Sequence, residues 1–377
     1  MANYTNWAGM LNVNEIYGSL HNMLISQQVF SDNLKFNEDL INRVDGGLFG
    51  DQKIFYSTDC LEVYDWGGDA EATKLLELNR PKNPQVQAIT LDTFKQIRLT
   101  LDDYLSKRAW MGEGVFSQFT SVMTGWMRDT KKIYDRSLNK VFRGTVETAI
   151  GSQEQVITLE TVEGDKEATN RLQATGIARG VSDIFTLLED EGRDFNDYSN
   201  MRSYEKGDFV VLWNSDYVNK ITNVDLPTMY HKELENLDFS KKMPAKYFGV
   251  VGGKKAVTSD GATYRMLKPG FVTLVEDGNI HGEDYKAGDS VFLFAGEIIP
   301  NKIVIATTSA INIPYYTNDN SIACKIIHKQ DLPYMSAFEA STNFFNGRSL
   351  TENKYDTFGH NELTHIHNFP LITVRVK

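Results

Sequence analysis

Residues 53–64 read KIFYSTDCLEVY and residues 89–101 read ITLDTFKQIRLTL, and the prediction of the fold starts from these two stretches. In the second stretch, one side of an alternating pattern carries Ile89, Leu91, Thr93, Lys95, Ile97, Leu99 and Leu101. A period of two is typical of β-strands, in which successive side chains point to opposite faces. The two stretches therefore predict a long β-hairpin with arms of about 35 Å at roughly 3.3 Å per residue.

The segment between the two arms carries glycines and apolar residues at the predicted tip of the hairpin. The tip consists of Trp66, Gly67, Gly68, Leu75, Leu76 and Leu78. An isolated two-stranded hairpin is at best marginally stable in water. We therefore expect the tip to form an assembly interface that other copies of the chain complete.

Residues 106–149 carry the clearest helical pattern of the chain, with apolar residues at spacings of three and four. On another face lies a row that we call the basic stripe: Arg128, Lys132, Arg136, Lys140 and Arg143. Residues 106–150 hold eight Lys and Arg against four Asp and Glu, whereas residues 51–105 hold six against ten. Three interpretations of the stripe stay open: contact with bound or packaged nucleic acid, contact with the acidic segment of a neighbouring copy, or a solvated helix face.

The rest of the chain predicts an α+β fold. A second helix is expected at residues 167–190, and the stretch Asn214-Ser215-Asp216 after the strand Phe209–Trp213 is typical of an N-cap that opens a short helix through Ile221. Further strands are predicted at Tyr247–Val251, Phe271–Glu276, Ser290–Phe294, Ile303–Thr307, Ala323–His328 and Leu371–Val376, with a tight turn before Ser290 and loops around Asn343–Ser349. The short strands between Pro244 and Pro314, punctuated by glycine, indicate a small β-rich insertion.

Length, charge and cysteine content restrict the classes of protein to which the chain can belong. The 377 residues are enough for two or three domains, and the net charge of −11 argues against a protein that binds nucleic acid over its whole surface. The only cysteines are Cys60 and Cys324, which favours a reducing compartment over a disulfide framework. The sequence shows neither a signal peptide nor an apolar run long enough for a membrane span. We expect a protein of the cytoplasm, or of a particle assembled there.

Catalytic and cofactor motifs are missing from the sequence. It contains no phosphate-binding glycine loop, no nucleophile elbow and no cysteine pair at zinc spacing, so we expect no enzyme, no cofactor and no metal. The one constellation that keeps an alternative open is His360, His365 and His367, with Asp356 and Glu362 nearby. These histidines fit either a metal-dependent hydrolase or polar aromatic residues in a loop that enters the last strand.

Several local phrases of the sequence resemble those of the major capsid proteins of tailed bacteriophages, and so does the order of predicted elements. The phrases are NDYSNMR at 196–202, WN at 213–214 with YVN at 217–219, DLPT at 225–228, STNFFN at 341–346 and FPLI at 369–372. The likeness covers most of the chain. It implies the tailed-phage major capsid fold, in which an N-terminal arm, a long β-hairpin called the E-loop and a long spine helix join peripheral and axial domains.

The resemblance assigns each part of the chain to a part of that fold. Residues 1–50 correspond to the N-terminal arm, 51–105 to the E-loop, and 106–200 to the peripheral domain with the spine helix. Residues 201–314 correspond to the axial domain with the β-rich insertion at about 245–314. Residues 315–377 return through the axial and peripheral domains to the terminal strand.

The function that the resemblance implies is that of a shell subunit in a virion. Copies of the chain would form pentamers and hexamers of an icosahedral head around double-stranded DNA, assembled in the host cytoplasm. The arm begins almost at once, so we expect a separate scaffolding protein, together with a portal protein. The open alternatives are a bacterial nanocompartment shell of the same fold, a DNA-binding module that uses the basic stripe, and the metal-dependent hydrolase.

Overall fold

The computed structural model describes residues 43–45, 52–63, 84–102, 113–146, 153–223, 241–252, 263–300 and 313–377. Within these ranges lie three α-helices: α1 (Glu113–Gly144), α2 (Lys166–Glu189) and α3 (Ser215–Asn223). The strands of the same ranges are β1 (Arg43–Asp45), β2 (Lys53–Ser57), β3 (Gln85–Ile89), β4 (Leu91–Asp102), β5 (Thr145–Val146), β6 (Glu154–Ile157), β7 (Phe209–Asn214), β8 (Lys242–Met243), β9 (Gly249–Val251), β10 (Tyr264–Met266), β11 (Gly270–Thr273), β12 (Gly278–Ile280), β13 (Glu283–Tyr285), β14 (Ser290–Leu293), β15 (Tyr315–Asn318), β16 (Ile322–His328), β17 (Tyr334–Asn346), β18 (Thr351–Asn361) and β19 (Leu371–Val376). The predicted α+β class is confirmed.

The most deeply buried sheet has five strands in the order β6-β19-β16-β7-β8. β16 lies at its centre, antiparallel to β19 and β7, and every residue of β16 is buried. α2 covers this sheet with its apolar face, so that Val181 and Phe185 share one core with Trp213. The predicted second helix, the strand before Asn214 and the terminal strand are confirmed.

Side-chain caps determine where α2 and α3 begin. Asp165 Oδ1 accepts hydrogen bonds from the backbone N–H groups of Glu167 at 2.9 Å and Ala168 at 3.0 Å. Asn214 Oδ1 accepts one from the N–H of Asp216 at 3.2 Å, as its predicted capping role requires. Such acceptors satisfy N–H groups that the first turn of a helix cannot pair internally.

The second large sheet, which we call the long sheet, has the order β1-β17-β18-β4. β18 pairs antiparallel with β17 on one side and with β4 on the other. The prediction of loops around Asn343–Ser349 was wrong for Asn343–Asn346, which form the end of β17, and is confirmed for Gly347–Ser349, which lie in the turn into β18. Pairing with partner strands outweighs the low strand propensity of asparagine in this segment.

The predicted hairpin is shorter than its sequence pattern indicates. β2 and β3 pair antiparallel from Lys53↔Ile89 to Ser57↔Gln85. The rest of the expected returning arm, β4, pairs with β18 and so belongs to the long sheet. The alternation within β4 is as predicted, because each even-numbered residue from position 92 to 100 is exposed and the odd-numbered residues are more buried.

The described residues of the segment predicted as a β-rich insertion, at about 245–314, form short strands. A four-stranded sheet has the order β10-β15-β9-β5, and two hairpins join β11 to β14 and β12 to β13. The turn before Ser290 has Gly288 at a φ of +95°, a conformation that favours glycine. Asp289 Oδ2 closes this turn by accepting from the N–H of Lys286 at 2.8 Å. The predicted strand Ile303–Thr307 lies outside the described residues.

The long helix α1 joins the two large sheets. Tyr134 packs with Tyr334 of the long sheet, and Val141 packs with Leu212 of the five-stranded sheet. The sequence predicts a helix over residues 106–149, and the prediction is confirmed for most of that range, from Glu113 to Gly144. None of the described helices is long and apolar enough to cross a membrane.

A close backbone approach accompanies the end of α1. At Gly144, an added Cβ would lie 2.3 Å from the carbonyl oxygen of Tyr247, so only glycine fits there. The chain then continues directly into β5, which pairs in parallel with β9. The C-terminal end of α1 is therefore tied to the β-rich insertion.

Candidate assembly surfaces and the histidine cluster

The paired part of the hairpin presents apolar side chains to solvent. Ile54, Tyr56 and Val86 are exposed, and beyond β2 Val63 is 97% exposed. The predicted tip residues Trp66, Gly67, Gly68, Leu75, Leu76 and Leu78 lie outside the described residues. The base of the hairpin therefore already carries apolar surface that the subunit leaves uncovered.

An ion pair fixes the end of β2 to the loop that follows α2. Asp59 Oδ2 accepts a hydrogen bond from Arg193 Nη1 at 2.7 Å, and Asp59 Oδ1 accepts one from the N–H of Met201 at 3.1 Å. The hydrogen bond from Arg193 is the largest of the contributions that hold the pKa of Asp59 well below its ordinary range. The carboxylate of Asp59 is therefore the acceptor that joins the hairpin to this loop.

The loop segment at residues 196–202 also holds the hairpin in place, through side-chain hydrogen bonds. Asn200 Nδ2 donates to Ser57 Oγ at 2.6 Å, and Ser57 Oγ donates to Asn368 Oδ1 at 2.6 Å. Asn196 holds the loop closed, since its side chain accepts from the N–H of Asn200 at 2.8 Å and donates to the carbonyl oxygen of Asn200 at 2.7 Å. An amide side chain can do both because it carries a donor and an acceptor.

The basic stripe does not follow one surface. Arg128 and Lys132 are exposed, Arg136 and Lys140 are half-buried, and Arg143 is buried. Each step of four residues advances about 40° around an α-helix, so the row turns away from its starting face. Near its C-terminal end α1 is also buried on nearly all sides. The exposed part of the stripe is therefore limited to Arg128 and Lys132, whereas Arg143 lies inside the subunit.

Burial changes the protonation equilibria at the C-terminal end of α1. It lowers the pKa of Arg143 to about 10, and the opposing effect of Asp331 is smaller. The pKa of Lys140 is lowered by burial first and then by the positive charges of Arg136 and Lys246. These directions are those expected where a cation loses water.

A buried charge cluster, formed by Asp331, Lys325 and Arg143, lies where α1 meets the five-stranded sheet. Lys325 in β16 donates from Nζ to the carbonyl oxygen of Thr145, and burial lowers its pKa to about 7. The fully buried Asp331 acts in the opposite direction on the pKa values of both Lys325 and Arg143. Sequence analysis missed this cluster, because a single lysine inside the apolar strand Ile322–His328 does not indicate by itself that its amino group is buried.

The three histidines singled out from the sequence do not form one site. His360 is buried; its Nδ1 lies 2.8 Å from the carbonyl oxygen of Asn361, and its Nε2 lies 2.9 Å from Tyr134 Oη. Because a carbonyl can only accept, Nδ1 carries the proton and Nε2 accepts from the tyrosine hydroxyl. Burial lowers the pKa of His360, which favours this neutral form. Both ring nitrogens of His360 are thus occupied within the subunit.

His365 and His367 instead converge on an aspartate that the sequence gave no reason to group with them. One ring nitrogen of each histidine and a carboxylate oxygen of Asp197 all lie within 4.8 Å of one another. His367 Nδ1 is 2.6 Å and His365 Nε2 is 3.7 Å from Asp197 Oδ2. Asp356 and Glu362, the carboxylates near the histidines in sequence, are not part of this group among the described residues.

A further exposed surface on the long sheet was also missed. Phe344 and Phe345 in β17 are 62% and 53% exposed, close to the turn between β17 and β18. On β4, Phe94 is exposed and its ring covers Gly359, where an added Cβ would lie 2.9 Å from the ring. The available signal was the recurrence of strand-forming residues at every second position, Tyr355 and Thr357, after Thr351.

No protein-family model matches the sequence, and no curated protein matches it significantly. Solved structures do match. The capsid structure of Staphylococcus phage Andhra is 12% identical, with a TM-score of 0.51 over 91% of this chain and 84% of the other. A structure of the head fiber and inner core protein gp22 of native bacteriophage P68 is 9% identical, with a TM-score of 0.52 over 91% of this chain and 87% of the other. The chain therefore shares its fold with a phage capsid structure, as the sequence resemblance predicted.

Proposed function

We propose that the chain is a structural shell subunit that assembles with copies of itself into a bacteriophage capsid. The observation that carries this proposal is the fold, which is similar to a phage capsid structure over 91% of the chain. The role is structural, and no catalytic step is assigned to the protein.

The exposed apolar surfaces support this proposal. Ile54, Tyr56 and Val86 on the hairpin and Phe344 and Phe345 on the long sheet lie in two elements that project from the buried cores. Exposed apolar patches on a folded protein commonly mark interaction surfaces. The occupant that we propose for both is a neighbouring copy of the same chain, since a shell surrounds each subunit with copies of itself.

Within this proposal, the copies form pentamers and hexamers of an icosahedral shell. Residues 1–50 act as the arm, and residues 51–105 contribute a hairpin that reaches over a neighbour, with β4 as its root in the long sheet. Residues 106–200 form the peripheral domain, 201–314 the axial domain, and 315–377 return to the terminal strand. The tip at Trp66–Leu78 contacts the neighbouring copy.

The proposed partners follow from the same role. The shell encloses double-stranded DNA, which it contacts without sequence specificity, and its assembly involves a separate scaffolding protein and a portal protein. The protein is then a component of the virion and is assembled in the host cytoplasm.

The test is the assembly state of the full chain. We would purify it alone and after coexpression with the genes that neighbour it, and examine both by size-exclusion chromatography and electron microscopy. Pentamers, hexamers or closed shells are the expected result. A chain that stays monomeric under all of these conditions contradicts the proposal.

The content of the particles then distinguishes a phage capsid from a nanocompartment of the same fold. Particles that hold DNA, from a locus with portal and terminase genes, support the capsid. Particles filled with an enzyme encoded next to the chain support the nanocompartment and contradict the phage role.

A further inference from the structure

His365 has a buried ring nitrogen that no described group satisfies. The side chain is 1% exposed, and its Nε2 has no hydrogen-bond partner. The nearest acidic oxygen, Asp197 Oδ2, lies 3.7 Å away, which is too far for a hydrogen bond. An unpaired buried polar atom destabilises the folded chain, so a bound group that pairs with this nitrogen would stabilise it.

The other nitrogen of His365 is held by a buried carboxylate. His365 Nδ1 lies 2.7 Å from Asp331 Oδ2, and Asp331 Oδ1 accepts from the N–H groups of Leu332 at 2.7 Å and Ile366 at 2.8 Å. Because an ionised carboxylate only accepts, Nδ1 donates to it. In the neutral imidazole the lone pair is then on Nε2. A carboxylate behind a histidine in this way is the usual support of a metal-ligating imidazole.

Two further ligand groups lie beside that nitrogen, His367 and Asp197, and the 2.6 Å hydrogen bond between His367 Nδ1 and Asp197 Oδ2 is the contact that a bound ion would replace. Asp197 and His367 are half-buried and belong to the group of three residues whose ligand atoms lie within 4.8 Å of one another. Two imidazoles and one carboxylate form a ligand set that suits Zn²⁺, which takes nitrogen at about 2.0–2.1 Å and oxygen at about 2.0–2.2 Å. A three-residue site leaves one tetrahedral position for water.

We propose that Asp197, His365 and His367 bind one Zn²⁺ ion that clamps the base of the hairpin. The ligands come from the loop after α2 and the loop before β19. Gln87 of β3 binds the second of these loops, since its Nε2 donates to the carbonyl oxygen of His365 at 2.7 Å and its Oε1 accepts from the N–H of His367 at 3.0 Å. The ion holds together the segments from which the hairpin projects. This site does not depend on the proposed capsid role.

The experiment uses the full chain after removal of metal with EDTA and dialysis. We expect isothermal titration with ZnCl₂ to give one ion per chain, and bound Co²⁺ to give the visible absorption of a site with imidazole ligands. The melting temperature rises with zinc concentration, because zinc binds the folded state, and MgCl₂ at the same concentration has no such effect.

Two variants remove one ligand each at half-buried positions, His367→Gln and Asp197→Asn. We expect each to lower zinc affinity by at least about 10–100-fold, the loss that removal of a mere supporting group causes at metal sites. The matched control is His281→Gln, an exposed histidine whose Nε2 lies 3.6 Å from Glu297 Oε2. Circular dichroism without metal establishes that the variants fold.

Two outcomes overturn the proposal. One is the absence of stoichiometric zinc from the wild-type chain. The other is equal zinc binding by the wild type and both ligand variants, which would place the ion elsewhere.

Discussion

The five-stranded sheet and the long sheet differ in how far the subunit covers them. Every residue of β16 is buried, whereas β18 is buried only in its last four residues, Phe358–Asn361. β4 leaves every second side chain exposed along the same ladder. Two helices bury parts of these sheets. α2 packs on the five-stranded sheet, and α1 packs on the buried part of the long sheet. The first sheet is complete within one chain, and the far part of the second is available to a neighbour.

This comparison separates residues that stabilise the subunit from residues that we expect to serve assembly. A change in the buried region should lower the free energy of unfolding, because buried groups have no water to replace a lost partner. A change on the far part of the long sheet or on the exposed start of the basic stripe should leave that free energy almost unaltered. The predictions below test this separation, beginning with the largest effect on stability.

Of the changes considered, Asp331→Asn should give the largest loss in the free energy of unfolding. The substitution removes the buried negative charge that raises the pKa values of both Arg143 and Lys325, and with it the ionised acceptor of the contact with His365 Nδ1. Removal of one partner from a buried ion pair costs about 3–5 kcal/mol. Urea denaturation of the metal-free protein measures the change.

The control for Asp331→Asn lies on the long sheet. Asp356→Asn in β18 removes an equal charge from a half-buried position and should cost no more than about 0.5 kcal/mol. Equal losses for both variants would mean that burial of Asp331 does not govern its contribution.

The sequence predicted the parts of the fold that local signals specify. Apolar spacing and a capping asparagine located α2, β7 and α3, and alternation located β4 and β19. The partner of β4 was not predictable, because the paired residues of β18 lie 249 to 270 residues further along the chain, and an alternating pattern does not indicate which strand pairs with it. The grouping of Asp197 with His365 and His367 depends on the same long-range pairing.

The basic stripe shows that the burial of a side chain cannot be predicted from its spacing in the sequence. Its spacing correctly placed five cations on one helix, but burial depends on what packs around each turn. Arg128 is exposed and Arg143 is buried, although both belong to one periodic row. Lys325 was hidden for the same reason, since an apolar strand with one lysine does not indicate whether the lysine reaches solvent.

The pH dependence of stability should reveal Lys325. Its pKa is about 7 in the folded protein and 10.5 ordinarily, so between these values the unfolded chain binds a proton that the folded chain lacks. Stability therefore rises with pH above 7, and the full cost of the buried charge is present below 7. We expect the free energy of unfolding to rise by up to about 2 kcal/mol from pH 7 to pH 9.

Lys325→Met should flatten this rise, because it removes the titrating group while keeping a chain of similar length. Asp331, which also faces Arg143, is the charged group that acts on Lys325 besides burial. Lys354→Met in β18 is the control and should retain the wild-type pH dependence, since it leaves Lys325 in place. An unchanged slope in Lys325→Met would assign the pH dependence to other groups.

Phe344→Ser with Phe345→Ser tests the far part of the long sheet. Both rings are more than half exposed, so we expect the free energy of unfolding to change by less than about 1 kcal/mol. Assembly should fall sharply, because the variant lacks the apolar side chains that we expect a neighbouring copy to contact. Sedimentation velocity and electron microscopy measure this loss. Phe209→Ser in β7 is the control within the buried sheet, and large-to-small changes of buried phenylalanine cost about 3–5 kcal/mol. Full assembly by the double variant would remove this surface from the proposed contacts.

Arg128→Glu with Lys132→Glu should have the smallest effect on folding, within about 0.5 kcal/mol, because both side chains are exposed. Its effect on assembly separates the three interpretations of the basic stripe. If the stripe meets the acidic segment of a neighbour, empty shells form less readily, and because exposed charges are screened, the difference from wild type shrinks as salt rises. If it faces packaged DNA, empty shells form normally and only the filled particles decrease. If the yields of empty shells and of filled particles both stay at the wild-type level, the start of α1 is a solvated face. In that case α1, like the five-stranded sheet, contributes to folding and not to assembly.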